Sequence, residues 1–265
     1  MILLNIIGEP RSCTVNIMRP SFFQTIKIIM QSVYSVVKLS VKTIMQGFSG
    51  NMTRQWVDES IQIWVNEILS YVKATVRVIN PNGVTPQHGQ PTLLMCNHAS
   101  LYDIPITYAA FPDLTIRMLA KKEMRKIPFM GKSMEVAGFP FVNRHHRQQA
   151  IQDMQKVREM LADDIVMWMA PEGTRSRDGQ LAKFKKGGFI TAIQAQAMII
   201  PMVIRGANMI LPAKTLRFAL HQHVDVVVGQ PIDASQFSLE QKDELIALVH
   251  STMQNMLDEP IDQNF

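Results

Sequence analysis

His98 and Asp103 lie five residues apart in the run Asn97-His98-Ala99-Ser100-Leu101-Tyr102-Asp103. The segment directly before it, 92–96 (Thr-Leu-Leu-Met-Cys), is apolar and reads as a buried strand. A strand that ends this way delivers its polar cluster to a sheet edge, where α/β proteins usually build their sites. Imidazole titrates near neutrality, so a carboxylate on one ring nitrogen can fix its tautomer while the other nitrogen accepts a proton. That is the requirement for activating a weak nucleophile such as an alcohol. Ser100 offers a covalent alternative, but it lies two residues from His98 and lacks a Gly-x-Ser-x-Gly elbow. Taken alone, a His-x₄-Asp pair is more often a structural histidine capping the next helix, with the Asp merely solvated. Its neighbours along the chain decide between the two.

Three further clusters follow. Gly138-Phe139-Pro140-Phe141-Val142-Asn143-Arg144 is a strand ending in an arginine. Pro171-Glu172-Gly173-Thr174-Arg175-Ser176 comes straight after the apolar strand 165–169 and precedes Phe184-Lys185-Lys186-Gly187-Gly188. Ile199-Ile200-Pro201-Met202-Val203-Ile204 is the last. Arg144 and Arg175 are candidate phosphate ligands, because guanidinium is a planar, permanently charged fork that matches phosphate oxygens in two contacts. Gly173 would allow close backbone approach, and the Thr174 hydroxyl can donate to an oxyanion or a phosphate. Lys121 and Lys122, after strand 115–119, are further phosphate candidates or else a solvated helix start. Lys183, Lys185 and Lys186 could meet headgroups, a substrate phosphate or an acidic carrier. His145, His146, His221 and His223 carry no third ligand at zinc spacing, so no metal is expected.

These groups need a scaffold. Candidate strands at 75–79, 92–96, 115–119, 139–142, 165–169, 199–204 and 224–228 alternate with helical patterns at 104–110, 129–137, 147–161, 188–197 and 239–257. Such alternation predicts an α/β fold with a mixed, largely parallel sheet flanked by helices. The Pro- and Gly-rich stretch 81–91 is expected to separate an N-terminal anchor from the catalytic body. Over 21–48, Phe22, Ile26, Ile29, Val33, Val37, Val41, Ile44 and Phe48 recur at helical spacing. Lys27, Gln31, Ser35, Lys38, Lys42 and Gln46 form the opposite stripe, three lysines without an acid. A second helix over 53–71 has its own apolar stripe. An ordinary hairpin packed on the core is one reading. Large apolar groups beyond one stripe, including Phe23 and Tyr34, favour instead an amphipathic two-helix membrane anchor over 1–72. In it, Phe22, Phe23, Lys27, Lys38 and Lys42 meet the bilayer. Residues 73–265 would then be the α/β domain.

The net charge of +5 suits anionic membranes, acidic carriers or phosphorylated substrates, and no aromatic-interleaved basic motif points to nucleic acid. Nineteen methionines suit either a Met-tolerant core or an acyl chain. Cys13 and Cys96 sit far apart in unlike contexts, which predicts reduced thiols on the cytoplasmic side. The chain start has no signal-peptide pattern. No segment is expected to span a bilayer; 187–204, the longest uncharged stretch, reads as a buried helix followed by a strand.

In this order, Asn-His-x-Ser-x-x-Asp, Phe-Val-x-Arg, Pro-Glu-Gly-Thr-Arg-Ser and Ile-Pro-x-x-Ile resemble the glycerolipid acyltransferase family. Within it they are most similar to the lysophosphatidic acid acyltransferases. The motifs cover 92–206. Asn143 stands where the family often has Asp, and Ala170 where phenylalanine is common. The resemblance implies acyl transfer from acyl-CoA or acyl carrier protein to the sn-2 hydroxyl of lysophosphatidic acid, with no cofactor and with membrane lipids as partners. It implies His98 as base, Asp103 as its orienter and Glu172 as a group that binds or orients the glycerol. A monotopic or peripheral place on the cytoplasmic face of the cell membrane follows. Another lysophospholipid or lyso-aminolipid acceptor, or a non-catalytic phospholipid-binding protein, are the alternatives.

Overall fold

A computed structural model describes residues 18–260, so Cys13 and the first part of the expected anchor lie outside the described residues. Two long helices come first, α1 (Phe22–Phe48) and α2 (Arg54–Val72). Each starts where its sequence supplies a cap. Ser21 and Gln24 form a reciprocal capping box for α1, and the Thr53 hydroxyl accepts from the Trp56 amide for α2. There follow β1 (Thr75–Ile79), β2 (Thr92–Cys96), α3 (Asp103–Ala110), β3 (Ile116–Met118) and β4 (Ala120–Lys121). A 3₁₀ turn, Lys122–Lys126, leads to α4 (Met130–Val136), β5 (Phe141–Val142), α5 (Arg147–Ala162) and β6 (Val166–Met169). Then come α6 (Lys186–Gln194), β7 (Met198–Arg205), α7 (Ala207–Ile210), β8 (His223–Val228), β9 (Ile232–Asp233) and α8 (Lys242–Asp258).

Seven strands form one sheet in the order β1-β8-β7-β2-β6-β3, with β9 on β7. The β1/β8, β2/β6, β2/β7 and β3/β6 pairs are parallel; β7/β8 and β7/β9 are antiparallel. The sheet is therefore mixed and largely parallel. Strand β2 is buried at every position because both faces are covered. Its Leu94 and Cys96 enter the core beneath α2 and α3, whereas Leu93 and Met95 enter the core beneath α5, α6 and α8.

Three expectations change. The 81–91 stretch joins β1 to β2 inside one sheet, because β1 pairs with β8 from Thr75↔His223 to Ile79↔Val227. It does not divide anchor from body. The strand expected at 139–142 shortens to β5, since Gly138 turns the chain at φ +79° and only Phe141 and Val142 pair with β4. And α1, not 187–204, is long and apolar enough to cross a membrane by length and composition, whereas 187–204 divides into α6 and β7 as expected.

Helix α1 turns its large apolar groups outward, as the anchor reading expects, but Lys38 and Lys42 of its polar stripe face α2 rather than open surface. The side it buries carries Ser35, Ser40 and Thr43 with Ile28. Outward it exposes Phe22, Phe23, Met30, Val33, Tyr34, Met45 and Phe48. The stripe that reads as water-facing meets α2: Ser35 donates to the Glu67 carboxylate, Lys38 pairs with the same group, and Lys42 lies 5.1 Å over the Trp56 ring. Lys27 is exposed and, among the described residues, has no such partner on α2. Helix α2 is bound into the body by Val57, Ile61, Val65, Ile68 and Val72. It is also bound by Asp58, which holds the buried Arg117 of β3 at 2.6 Å.

The hydrogen bonds from Lys38 and Ser35 hold the Glu67 carboxyl below its ordinary value. A lowered carboxylate contributes stability above its unfolded-state pKa and loses it as pH falls through the folded one. Replacing Glu67 by Gln should therefore cost about 1–2 kcal/mol at neutral pH, since Ser35 and Lys38 lose a charged acceptor. Thermal unfolding in detergent should show the two proteins converging as pH drops below the carboxylate range. A constant difference across that range would refute the assignment.

Candidate active site

The carboxyl ends of β2, β6, β7 and β3 open on one sheet edge, and β2 sits where successive crossovers depart to opposite sides. Such a switch point is the usual crevice of an open α/β sheet. His98 lies two residues beyond β2. Asp103 opens α3, and its Oδ2 accepts from the amides of Ala99 (2.7 Å) and Ser100 (2.8 Å) and from His98 Nδ1 (2.7 Å). An oxygen already receiving two N–H donors acts as an acceptor, so Nδ1 carries the hydrogen and Nε2 is left as the basic nitrogen. Asp103 is 1 % exposed while the His98 side chain keeps 18 %. The carboxylate is sealed and the ring reaches solvent.

The main chain of His98 is fixed from the β6 side. Its N–H donates to Glu172 Oε1 at 3.0 Å, and its C=O accepts from the Ser176 amide at 2.7 Å. Glu172 Oε2 accepts from the Ala182 amide at 3.0 Å. Burial pushes the Glu172 carboxyl above the ordinary carboxylate range, and the Ala182 and His98 amides pull against it. The Glu172 side chain is thus turned onto backbone rather than toward open space. From the β7 side, Asn97 donates to the Ile204 carbonyl (3.0 Å) and accepts from its amide (2.7 Å). The Trp168 ring packs edge-on against His98, with centroids 5.8 Å apart. Asn97 opens the Asn-His-x-Ser-x-x-Asp motif, although its role is not legible there, and Trp168 supports the site with no mark in the sequence.

Ser100 is fully buried, its hydroxyl donating to the Leu211 carbonyl and accepting from the Tyr102 amide. Committed to these two bonds and closed to solvent, that oxygen is unsuited to act as a nucleophile.

Arg144 follows β5, whose register with β4 (Lys121↔Val142) carries it to this edge, and its guanidinium donates to the Gly173 carbonyl. Gly173 has φ +77°, and an added Cβ would lie 3.4 Å from both Arg144 Nη1 and Lys185 Cγ. A side chain there would crowd the arginine as well as strain the turn. Thr174 is exposed and Arg175 half-buried; neither side chain makes a hydrogen bond or ion pair among the described residues. Lys121, Lys122, Lys183 and Lys185 are exposed, whereas Lys186 is engaged by Asp243 of α8 at 2.9 Å. His98, Asp103, Glu172, Gly173 and Arg144 are therefore joined by direct contacts. The remaining histidines have local roles: His146 caps α5 by accepting from the Gln149 amide, and His223 meets Thr75. Among the described residues no cluster of His, Cys, Asp and Glu is placed to hold a metal.

Residues 75–205 match the acyltransferase family model. The 1-acyl-sn-glycerol-3-phosphate acyltransferase alpha of Mus musculus is 31 % identical over 169 residues, 63 % of this chain and 58 % of that protein. The beta protein of Homo sapiens is 30 % identical over 168 residues, 63 % of this chain and 60 % of the relative. The match thus spans less than two thirds of either relative. The crystal structure of the 1-acyl-sn-glycerophosphate acyltransferase of Thermotoga maritima superposes with a TM-score of 0.71 at 22 % identity. It covers 91 % of this chain and 97 % of that one, and so shares the fold. The matched segment contains His98, Asp103, Arg144 and the 171–176 turn, and residues 75–205 form an acyltransferase-family domain.

Proposed function

We propose that this chain transfers a fatty acyl group from a carrier thioester, acyl-CoA or acyl carrier protein, to the sn-2 hydroxyl of lysophosphatidic acid. The observation that carries the reading is the sealed Asp103 carboxylate on His98 Nδ1, which leaves Nε2 to take a proton at the sheet edge. The names of the relatives supply the acceptor. His98 Nε2 removes the hydroxyl proton as the alcohol oxygen attacks the thioester carbon. The tetrahedral intermediate then collapses, the C–S bond breaks, and the thiolate leaves with the proton returned by the imidazolium. Asp103 stabilises that imidazolium, and no acyl-enzyme is needed. Arg144 and Arg175, with Lys121 and Lys122, supply fixed positive charge for the acceptor phosphate. Thr174 adds a donor beside them. The outward apolar face of α1 seats the protein on the membrane that holds acceptor and product, at its cytoplasmic face, where the soluble donor arrives.

Replacing His98 by Ala should lower kcat for lysolipid-dependent thiol release by about 10²–10⁴-fold with the far-ultraviolet circular dichroism unchanged. Near-normal turnover would remove the base, and running both donors over an acceptor panel identifies the natural pair.

Glu172 acts on the site as a positioning residue. Glu172→Gln leaves one acceptor for two amides and points an NH₂ at an N–H, a loss of about 1–3 kcal/mol in stability. Because it moves the His98 backbone, kcat should fall by about ten- to a hundred-fold while KM for the acceptor stays nearly constant. A rise in KM at unchanged kcat would instead make Glu172 a substrate ligand.

A further inference from the structure

The turn between β4 and α4 has a feature the acyl-transfer chemistry does not require. Over 122–130 the sequence runs Lys-Glu-Met-Arg-Lys-Ile-Pro-Phe-Met. Ile127 and Phe129, on either side of Pro128, are 44 % and 54 % exposed. Phe129 holds φ +61°, ψ −51°, a conformation that is costly for any residue with a Cβ. Such backbone persists only where the surroundings over-determine it, and it clusters at functional contacts. Here the Gly131 amide donates to the Ile127 carbonyl and the Ser133 amide to the Phe129 carbonyl, both at 2.9 Å. Gly131 itself lies so close to Arg125 that a Cβ would stand 2.2 Å from its carbonyl oxygen. The turn is locked with its two large apolar side chains facing away from the core.

Its surroundings are basic. Arg125, Lys126 and Lys132 are exposed around it. Glu135 answers Arg125 at 3.7 Å and Lys132 at 3.2 Å, so one carboxylate serves two cations while Lys126 pairs with no acid among the described residues. The turn is tied to α1 through α4, which packs on the buried side of that helix. Ser133 of α4 bonds to Ser40 of α1 at 3.2 Å, and Gly47 admits Val136 so closely that a Cβ would stand 2.4 Å from its Cγ1.

We propose that the 127–129 turn is a second bilayer contact: Ile127 and Phe129 enter the headgroup–acyl boundary of an anionic membrane, and Arg125 and Lys126 lie on the headgroup phosphates. The proposal rests on the membrane-seated reading of α1. A lipid surface is the occupant favoured by the pairing of apolar tips with surplus positive charge on an element fixed to α1 through α4. A helix alone can roll about its axis on a bilayer, whereas a helix and a separate turn define a plane. Arg125 stacks 4.7 Å from the Phe141 ring of β5, two residues before Asn143 and three before Arg144, so that plane fixes how the catalytic edge meets the lipid.

The test uses the full chain in detergent and its partitioning to vesicles of phosphatidylcholine with or without phosphatidylglycerol. Ile127→Ser/Phe129→Ser should weaken partitioning by about ten-fold, and Arg125→Gln/Lys126→Gln by about five-fold on the anionic vesicles only. Ile151→Ser, an equally exposed apolar site on α5 (60 %), should change nothing. Activity on acceptor dispersed in detergent micelles should survive in all three; its loss in the turn variant would place the turn in the substrate site and overturn the proposal. Phe23→Ser/Met30→Ser on α1 separates the two readings. Loss of partitioning there but not in the turn variant sinks the turn alone, and loss in neither sinks the anchor as well. A turn variant that binds vesicles normally but changes the oligomeric state would assign the surface to a second copy and also overturn it.

Discussion

His98 is held from three directions, and the rest of the site is arranged around that restraint. Its ring is steered by Asp103, its amide is taken by Glu172, and its carbonyl is taken by the Ser176 amide. The last two partners belong to the turn after β6, so the loops at the ends of neighbouring strands β2 and β6 are bound to each other through one residue. Two carboxylates end up almost without solvent as a result, at 1 % and 2 % exposure. Buried charge is costly unless its oxygens find donors. Here the donors are mainly backbone amides: Ala99 and Ser100 for Asp103, His98 and Ala182 for Glu172. Amides cannot rotate away as side chains do, so the arrangement is fixed before any substrate arrives. That is the condition for electrostatic preorganisation.

Position along the chain makes the His98–Asp103 pair legible and leaves its support hidden. An apolar strand followed by His and Asp is a local pattern, and local patterns survive translation into structure. The same is true of the helix over 22–48, whose cap and spacing are both local. Glu172 is visible as a motif member, but its partners are Ala182, ten residues on in the same loop, and His98, far upstream, a pairing that the parallel β2/β6 register creates. Asn97 shows the limit more sharply. Its amide completes the main-chain bonding of Ile204, more than a hundred residues on, and no composition or period marks a residue for that task.

Helix α1 shows what an amphipathic pattern leaves open. Amphipathicity establishes that two faces differ but not which face meets protein. Ser35, Ser40 and Thr43 are residue types that suit a water-facing side, yet small side chains allow helices to approach closely, and hydroxyls find partners across the interface. Glu67 and Ser133 provide those partners. Once the small polar face is inward, the large apolar residues have only the outside left. In a water-soluble helix the energetics would run the other way, because burying Phe22, Phe23 and Tyr34 would remove far more apolar area from water.

The two halves of the molecule are coupled by a buried ion pair rather than by apolar packing alone. Arg117 sits in β3, 2 % exposed; its Nη1 meets Asp58 of α2 and the Ile116 carbonyl, and its Nε donates to the Ala137 carbonyl. Ala137 ends α4, the helix that packs on α1 and carries the apolar turn. One side chain therefore ties the α1–α2 pair, the α4 turn and a strand of the catalytic sheet into a single body. A buried guanidinium stripped of its acid would be left without compensation, so the arrangement resists sliding as well as separation. In the proposed orientation, with the outward face of α1 set against lipid, such rigidity would give the His98 edge a fixed attitude. An alcohol at the membrane surface would then meet the proposed base at a set height, with no hinge between the two elements.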